Sequence, residues 1–596
     1  MHEMLAVPFD ASRIMTKKKR IRRELLAQQV DRVPCRIAIL GGSTTATVKD
    51  ALELFLLDRG IAPTFYESEY NKWYEDSQFG NPELDTFNPQ IIYLHTSFVN
   101  LLNLPVSTDK ESDVQAKADA EFARYADCWQ KMKARYGATI IQNNFELPST
   151  RYYGNLDAVH DTGLVAFVQA MNARFAEAAR EDSALFIQDI NYLAADFGLS
   201  RWHDPDFYAL YKVAMTSDAI PYLAQNLAAM IGALLGRMKK CLVLDLDNTL
   251  WGGIVSEDEV TGLTIGHETA LGESFLAWQR YILQLKSRGI LLAVCSKNDE
   301  DIAKSGFTHP DCLLKVEDFL SFQANWEPKS ENIRRIAEEI GIGLDSLVFI
   351  DDNPAERQLV RDQLPMVTVP EVEGGAPFSY IRAIEQGKYF ETLTLSADDL
   401  KRNATYQGNK ERRKLQSCSG SYDDFLKSLD MKAEIGPFKE VYLERIAQLT
   451  NKSNQFNLTT RRYTEEELRH MAEDADFITM YGRLMDRFGD NGLVSVVAGQ
   501  REGNDLRVLL WLMSCRVLKR GMEYAMLDSL VMRAKEMGIE ALTGDYFPTK
   551  KNGMVANLYE DFGFTKTGEE PDGHTMWRLE LAGFTPKSRF ITITEA

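Results

Sequence analysis

Short apolar runs rich in β-branched residues, separated by long helical patterns, recur through the first two-thirds of this chain. They constrain its fold more than any other feature. Cys35 to Leu40 runs into Gly41-Gly42-Ser43, and Gln90 to Ser97, Ala138 to Phe145 and Leu185 to Ile190 repeat the pattern. Helical periodicity fills Glu111 to Tyr136 and Val165 to Glu181, and Phe207 to Met238 closes the unit. Strands alternating with helices predict a parallel sheet covered on both faces. This first domain is expected over 35–238, after a basic segment, 1–34, that opens on a helix and carries Lys17, Lys18, Lys19, Arg20, Arg22 and Arg23.

A second α/β domain is expected over 239–395. Its strands are Cys241 to Asp247, Leu291 to Ser296, Ser346 to Asp352 and Val367 to Val372. A charged, glycine-dotted linker helix follows over 396–430. The domain over 431–596 has a different order: three strand-like runs within Phe477 to Ser514, then a turn and helix over Arg516 to Met537. Turn signals stand at Gly489-Asp490-Asn491-Gly492 and Gly503-Asn504-Asp505. That is an antiparallel meander in an α+β domain.

Charge and cysteine content narrow the function classes. The 596 residues hold 68 Lys plus Arg against 87 Asp plus Glu, a formal net charge of −19. Such a chain is a poor nucleic-acid binder, because phosphate backbones are held by clustered cations. No window approaches the ~18 apolar residues of a membrane span, and the start has no secretory apolar stretch. The seven scattered cysteines form no C-x-x-C pair, which argues against disulfides and structural zinc and for a reduced, cytoplasmic protein.

The strongest chemical signal is Asp245-Leu246-Asp247-Asn248-Thr249 at the end of the first strand of the middle domain. Ligands of open parallel sheets bind outside the carboxyl ends of the strands. Two carboxylates two residues apart divide the labour: one attacks phosphorus, while the other protonates the leaving oxygen and later activates water. Asp351 and Asp352 end another strand in the same way. Clustered carboxylates repel unless a cation sits among them, and oxygen-only ligands select Mg²⁺. Ser296 adds a hydroxyl at a strand end, and Lys329 a charge to hold the phosphoryl group.

Order and strand context together resemble the haloacid dehalogenase (HAD) superfamily, in a Rossmann-like domain without a large cap. More narrowly, Asp245 to Gly253, Cys295 to Asn298 and Phe349 to Arg357 resemble the FkbH-like (HAD-IIIC) glyceryltransferase/phosphatases, as does the stretch Asn451 to Arg462. The resemblance implies Asp245 as nucleophile and Asp247 as general acid/base, with Thr249, Ser296 and Lys329 binding phosphate. The implied Mg²⁺ ligands are Asp245, Asp247, Asp351 and Asp352, with Asp352 favoured over Asp351 for direct contact. The implied reaction dephosphorylates 1,3-bisphosphoglycerate and loads its glyceryl group onto the phosphopantetheine thiol of an acyl carrier protein, in polyketide or other secondary metabolism. Cys295, beside Ser296, is the expected acyl acceptor. Too few residues separate Asp247 from Ser296 for a large cap, which favours a protein-borne or pantetheine-borne substrate.

The flanking domains resemble enzymes with altered sites. Ser43 in Gly41-Gly42-Ser43 resembles the nucleophile of a three-layer SGNH-type esterase, with His203 its partner. Ser200 stands where that family's orienting aspartate is expected, so a docking domain with a borrowed fold is favoured. The C-terminal domain resembles a GNAT acyltransferase, in which a helix N-terminus, here near Gly521, binds pyrophosphate and Tyr559 protonates a leaving thiolate. Glu523 stands where a second small residue is expected, and would repel acetyl-CoA or pantetheine phosphates. The amides of Asn451 to Asn457 are expected to line a site. Lys410, Arg412, Arg413 and Lys414 are expected to form either a solvated helix face or a carrier-protein contact. Two further readings stand beside the glyceryltransferase: a phosphatase of a small phosphorylated metabolite, and a carrier-binding assembly scaffold.

Overall fold

The computed structural model describes residues 2–452, 456–514, 517–549 and 552–595. The chain divides into two compact units, Met1–Met238 with Arg382–Leu393, and Lys239–Ile381 with Thr394–Ala596.

In the first unit β1 (Val33–Gly41), β2 (Ile61–Glu67), β3 (Ile91–His95), β4 (Thr139–Asn143) and β5 (Leu185–Gln188) form one sheet in the order β2-β1-β3-β4-β5. Every neighbouring pair is parallel. Side chains alternate faces along a strand. Ile37, Ile39, Tyr93 and Ile141 therefore pack on one side, with the helices Ala11–Ala27, Ala46–Asp58 and Ile220–Leu234. Ala38, Leu40, Ile92, Leu94 and Ile140 pack on the other, with Glu111–Tyr136 and Leu164–Glu181. The basic N-terminal segment is part of this unit rather than an appendage. Its helix buries Ile14, Ile21 and Leu25, and its cations Lys18 and Arg22 pair with Asp50 and Glu53. The helical stretch expected over Phe207 to Met238 is two helices, Pro205–Tyr211 and Ile220–Leu234.

The second unit opens on a four-stranded parallel sheet: β6 (Cys241–Leu244), β7 (Leu291–Ser296), β8 (Ser321–Ala324) and β9 (Leu347–Ile350), in the order β8-β7-β6-β9. The fourth strand is not the expected Val367 to Val372, which contributes only a bridge between Val348 and Thr368. It is Ser321–Ala324, four residues too short to announce a period. Every residue of β6, β7 and β9 is buried, as strands covered on both faces require.

The C-terminal sheet has nine strands: β10 (Met431–Gly436), β11 (Phe456–Asn457), β12 (Phe477–Asp486), β13 (Gly489–Glu502), β14 (Asp505–Met513), β15 (Ala541–Tyr546), β16 (Thr565–Glu569), β17 (Thr575–Glu580) and β18 (Ile591–Glu595). The expected meander is its centre, β12-β13-β14. The second turn falls at Gly503, with φ +68°, as expected. The first falls before Gly489, so the Gly489–Gly492 signal lies inside β13, opposite a register irregularity in β12.

The linker is a clamped helix, Arg402–Cys418. Lys410 donates to the Leu320 carbonyl at 3.1 Å, and Arg413 to the carbonyls of Glu338 and Glu339. Arg412 is buried against Asp486 through two hydrogen bonds of 2.6 and 2.7 Å. These three cations hold the second unit together, Arg412 buried, Lys410 half-buried and Arg413 exposed. The Lys414 side chain lies outside the described residues. Among the described residues no helix is long and apolar enough to cross a membrane.

Candidate active site

The site forms where β6 ends. The Asp245 N–H still donates to the Ile350 carbonyl at 3.0 Å, extending the ladder by one residue. The chain then turns with Asn248 at φ +55°, a left-handed conformation that asparagine tolerates better than most residues. The Asn248 Oδ1 accepts the Gly253 N–H at 3.0 Å, closing the loop on itself. Buried Tyr380 donates its hydroxyl to the Asn248 carbonyl at 3.0 Å.

Lys329, the first residue of the helix Lys329–Ile340, is buried at this strand end. Its Nζ lies 2.7 Å from Asp245 Oδ2 and 2.5 Å from Asp351 Oδ2. Burial alone would lower the ammonium's pKa, but the two carboxylates outweigh it and raise it. Asp351 is pushed up to about 7, by burial first and then by the Asp245 charge. Asp352 shifts upward for the same two reasons.

Asp245, Asp351 and Asp352 each offer an oxygen within 4.8 Å of the others. Asp245 Oδ1 is buried and has no hydrogen-bond partner. Three converging carboxylates and an orphaned oxygen against a single lysine leave excess negative charge. An oxygen-only donor set of this kind fits Mg²⁺.

The Asp247 carboxylate, also expected among the metal ligands, lies outside this group of three. Its Oδ1 accepts from Trp251 Nε1 at 3.0 Å and from the Val255 N–H at 3.1 Å, and its Oδ2 accepts from Asn298 Nδ2 at 3.1 Å. Burial raises its pKa, which suits a carboxyl that must carry a proton before giving it away. Thr249, expected to hold phosphate, is buried and accepts the Asp352 N–H at 3.2 Å, so it positions the acidic loop. Ser296 is buried at the end of β7, next to the loop that carries Asn298.

Cys295 does not fit the acyl-accepting role expected of it. It is buried in the core with Cys241, Ala293, Ile333 and Phe349, and its thiol faces the Lys329 carbonyl at 3.6 Å. Burial pushes its pKa far up, away from the thiolate that acyl transfer needs. Neighbours on a strand point to opposite faces, so adjacency to Ser296 turns Cys295 away. Cys295→Ala should leave phosphate turnover unchanged at a stability loss of about 1 kcal/mol. Steady-state phosphate release and a thermal melt check both, and lost turnover at full stability would restore the catalytic role.

Sequence reasoning missed the residues that hold the acids in place. Arg357 is buried and donates to the carbonyls of Asp351 and Asp352 at 2.8 and 2.9 Å. Asn298 and Trp251 fix Asp247. All three lie inside motifs already conspicuous for their acids, and only their spacing from those acids hinted at the contacts.

The other expected sites come together less well. Ser43 is buried with its hydroxyl unpartnered, while His203 turns its Nδ1 to the Ala214 carbonyl at 3.0 Å. No hydrogen bond joins the two residues, so the expected esterase pair is not assembled.

In the C-terminal sheet Gly521, at φ +86°, caps the helix Met522–Glu536. Glu523 is half-buried in the first turn of this helix with one carboxylate oxygen unpartnered, and burial raises its pKa. Its negative charge stands at the helix start where a bound phosphate would lie. Tyr559 is fully buried beside Phe564 and Trp577, with an unpartnered hydroxyl. Strands β14 and β15 pair only over Asp505–Val508 and Ala541–Gly544. Past that point β11 pairs with Leu512 and Met513, and Leu458 bridges the Trp511 carbonyl and the Phe547 N–H. The chain itself thus spans the gap between the strands. Residues 453–455 and 515–516, with the side chains of Asn451 and Lys452, lie outside the described residues, and with them most of the expected amide cluster. An acid in the first turn of the helix disfavours a pyrophosphate there. Acetyl-CoA should fail to saturate the protein at about 1 mM, while Glu523→Gly should raise affinity at least about tenfold, or 1.4 kcal/mol. Calorimetric titration of both proteins measures this.

Residues 36–232 match the family described as FkbH, N-terminal domain. No curated protein matches the chain. Among solved structures, the chain is similar to the N-terminal part of the protein BF1531 from Bacteroides fragilis, which contains a phosphatase domain and is complexed with Mg. The two are 29% identical with a TM-score of 0.58, over 63% of this chain and 99% of that one. The ribosomal-protein-S18-alanine N-acetyltransferase from Escherichia coli matches at 13% identity and a TM-score of 0.20, over 25% of this chain and 94% of its own. Spermidine N-acetyltransferase from Vibrio cholerae matches at 12% and 0.21, over 25% and 96%.

Proposed function

We propose that the middle parallel sheet carries a Mg²⁺-dependent phosphotransferase of the haloacid dehalogenase type. In this reading it dephosphorylates a glyceryl substrate drawn from 1,3-bisphosphoglycerate and serves glyceryl loading onto the pantetheine thiol of an acyl carrier protein. The observation that carries the phosphotransferase reading is buried Lys329 bridging Asp245 and Asp351, with Asp352 beside them and one Asp245 oxygen free. The Bacteroides fragilis relative, with its phosphatase domain and Mg, supports the same reading.

Asp245, Asp351 and Asp352 would hold the Mg²⁺, which supplies positive charge to offset the phosphoryl oxygens. Lys329 holds Asp245 in place, so that one of its oxygens bonds to phosphorus as the bond to the leaving oxygen breaks. Asp247 gives that oxygen its proton, then takes one from the water that cleaves the aspartyl phosphate. Trp251, Val255 and Asn298 fix Asp247 in orientation for both proton transfers.

The glyceryl and carrier part of the proposal rests on the FkbH match and on how open the site is. Only the short helix Val255–Gly262 and the helix Ala270–Ser287 lie between β6 and β7. Trp326, 68% exposed, stands two residues past the end of β8, its Nε1 donating to Asp299 Oδ1 at 3.4 Å. An uncapped strand end flanked by an exposed indole suits a long pantetheine arm. The buried Cys295 favours a second reading, a phosphatase of a small phosphorylated metabolite with no acyl-enzyme step.

Incubating the protein with Mg²⁺, 1,3-bisphosphoglycerate and a pantetheinylated carrier, then weighing both intact proteins, separates the readings. A glyceryl adduct on the carrier, with phosphate release that stops in EDTA, is the expected result. EDTA-sensitive phosphate release from small substrates with no adduct would establish the second reading. Release indifferent to EDTA would overturn the metal-dependent site.

A further inference from the structure

The first unit has a sheet order, β2-β1-β3-β4-β5, that reverses direction between β1 and β3. Ligands of such sheets bind at that switch point, beyond the carboxyl ends of the two strands. Here the chain leaves β1 through Gly41-Gly42-Ser43-Thr44-Thr45 and enters the helix Ala46–Asp58. No side chain caps this 13-residue helix, and its first turn holds no acid. Helix geometry leaves its first N–H groups without partners inside the helix, with the positive end of the helix dipole behind them.

A second observation points the same way. Ser43 Oγ and Thr47 Oγ1 are both buried and without hydrogen-bond partners, and they flank the helix start. Ser43 is 2% exposed. Buried hydroxyls normally find partners, so two orphans in one turn are unusual. The backbone also approaches closely here. A Cβ on Gly42 would lie 2.4 Å from Asn100 Nδ2, the atom that donates to the Gly42 carbonyl at 2.8 Å. Asn100 in turn accepts the Ser97 N–H, tying the turn after β1 to the turn after β3.

The charges around the turn are balanced. Glu67 accepts from Thr45 Oγ1 at 2.7 Å and is paired with Lys49. The Thr44 N–H donates to the Lys212 carbonyl at 2.7 Å, bringing Lys212 to the same turn. Ser43 has no imidazole or carboxylate hydrogen-bonded to it, and a serine without a base is a donor rather than a nucleophile.

We propose that the Gly42–Thr47 turn is a binding site for a phosphate group, separate from the carboxylate site of the second unit. The Gly42 and Thr44 N–H groups are taken by the His95 and Lys212 carbonyls, so the helix-start N–H groups and the two hydroxyl donors are what suit a tetrahedral oxyanion. That group would come from a free phosphorylated metabolite or from a phosphopantetheine arm.

Amide hydrogen exchange of the full-length chain, read peptide by peptide, tests the proposal locally. One arm adds inorganic phosphate and the other 4′-phosphopantetheine. Exchange in the peptide spanning residues 41–50 should slow about tenfold when ligand stands at ten times its dissociation constant. Protection in both arms would mean that phosphate alone suffices, and protection confined to the second arm would make the pantetheine arm the ligand. The Ser43→Ala/Thr47→Val double variant, with an unchanged melting midpoint, should lose the protection. No slowing in either arm would overturn the site, as would protection that survives the double variant. Covalent labelling of Ser43 by a fluorophosphonate probe would instead restore the esterase.

Discussion

Lys329→Met is expected to destabilise the protein by about 3–5 kcal/mol and to abolish phosphate release. Removing one partner from a buried ion pair leaves the other charge stranded, and the cost lies in that range. Here two carboxylates are stranded at once, because Nζ sits 2.7 Å from Asp245 and 2.5 Å from Asp351. Methionine keeps the length and the packing, so the loss is electrostatic. Mg²⁺ should then recover part of the melting temperature, since the excess negative charge that it would offset has grown. Thermal melts of both proteins with Mg²⁺ and with EDTA measure each step. Lys49→Met provides a comparison: Lys49 pairs with Glu67 at a partly exposed position, where such pairs are worth at most about 1 kcal/mol. Equal melting of Lys329→Met and the unaltered protein would mean that the lysine does not bridge the acids.

The parallel strands of the middle sheet were legible because strands buried on both faces are continuous apolar runs, and β6, β7 and β9 end on the residues that gave them away. β8 was not legible, because Ser-Phe-Gln-Ala is short and half-polar. Val367 to Val372 was mistaken for it because β-branched content reports how well a residue suits a sheet, not whether a neighbouring edge is free. The carboxylates were legible by position at strand ends. Their division of labour was not. Asp245 and Asp247 read alike along the chain, yet one faces Lys329 and the other faces Trp251 and Asn298, because β6 ends at Leu244 and strand alternation no longer governs the two. Cys295 misled for a simpler reason: one step along a strand reverses the side-chain direction. The contacts of Lys410 and Arg413 were not legible because their partners are backbone carbonyls, which leave no trace in a sequence.

The separation of Asp245 from Asp247 has the other large consequence. Asp245→Asn and Asp247→Asn should both stop steady-state phosphate release, but at different points. Asparagine at 245 is a poor nucleophile, so no phosphoryl group bonds to the protein and the intact mass stays unchanged in the presence of substrate. Asparagine at 247 leaves the nucleophile and its lysine in place while removing the proton donor and the later base. Loss of such a group costs about 10²- to 10⁴-fold. With a substrate whose leaving group needs no proton, such as an acyl phosphate, the first step survives and the second does not. Asp247→Asn should then accumulate one phosphoryl group on Asp245, visible as an intact-mass adduct and as a modified peptide. The folded state should tolerate both changes, since Asp247 keeps two of its partners as an amide acceptor and Asp245→Asn removes a charge from a crowded cluster. An adduct on Asp245→Asn, or none on Asp247→Asn under single-turnover conditions, would reverse the roles assigned to the two residues.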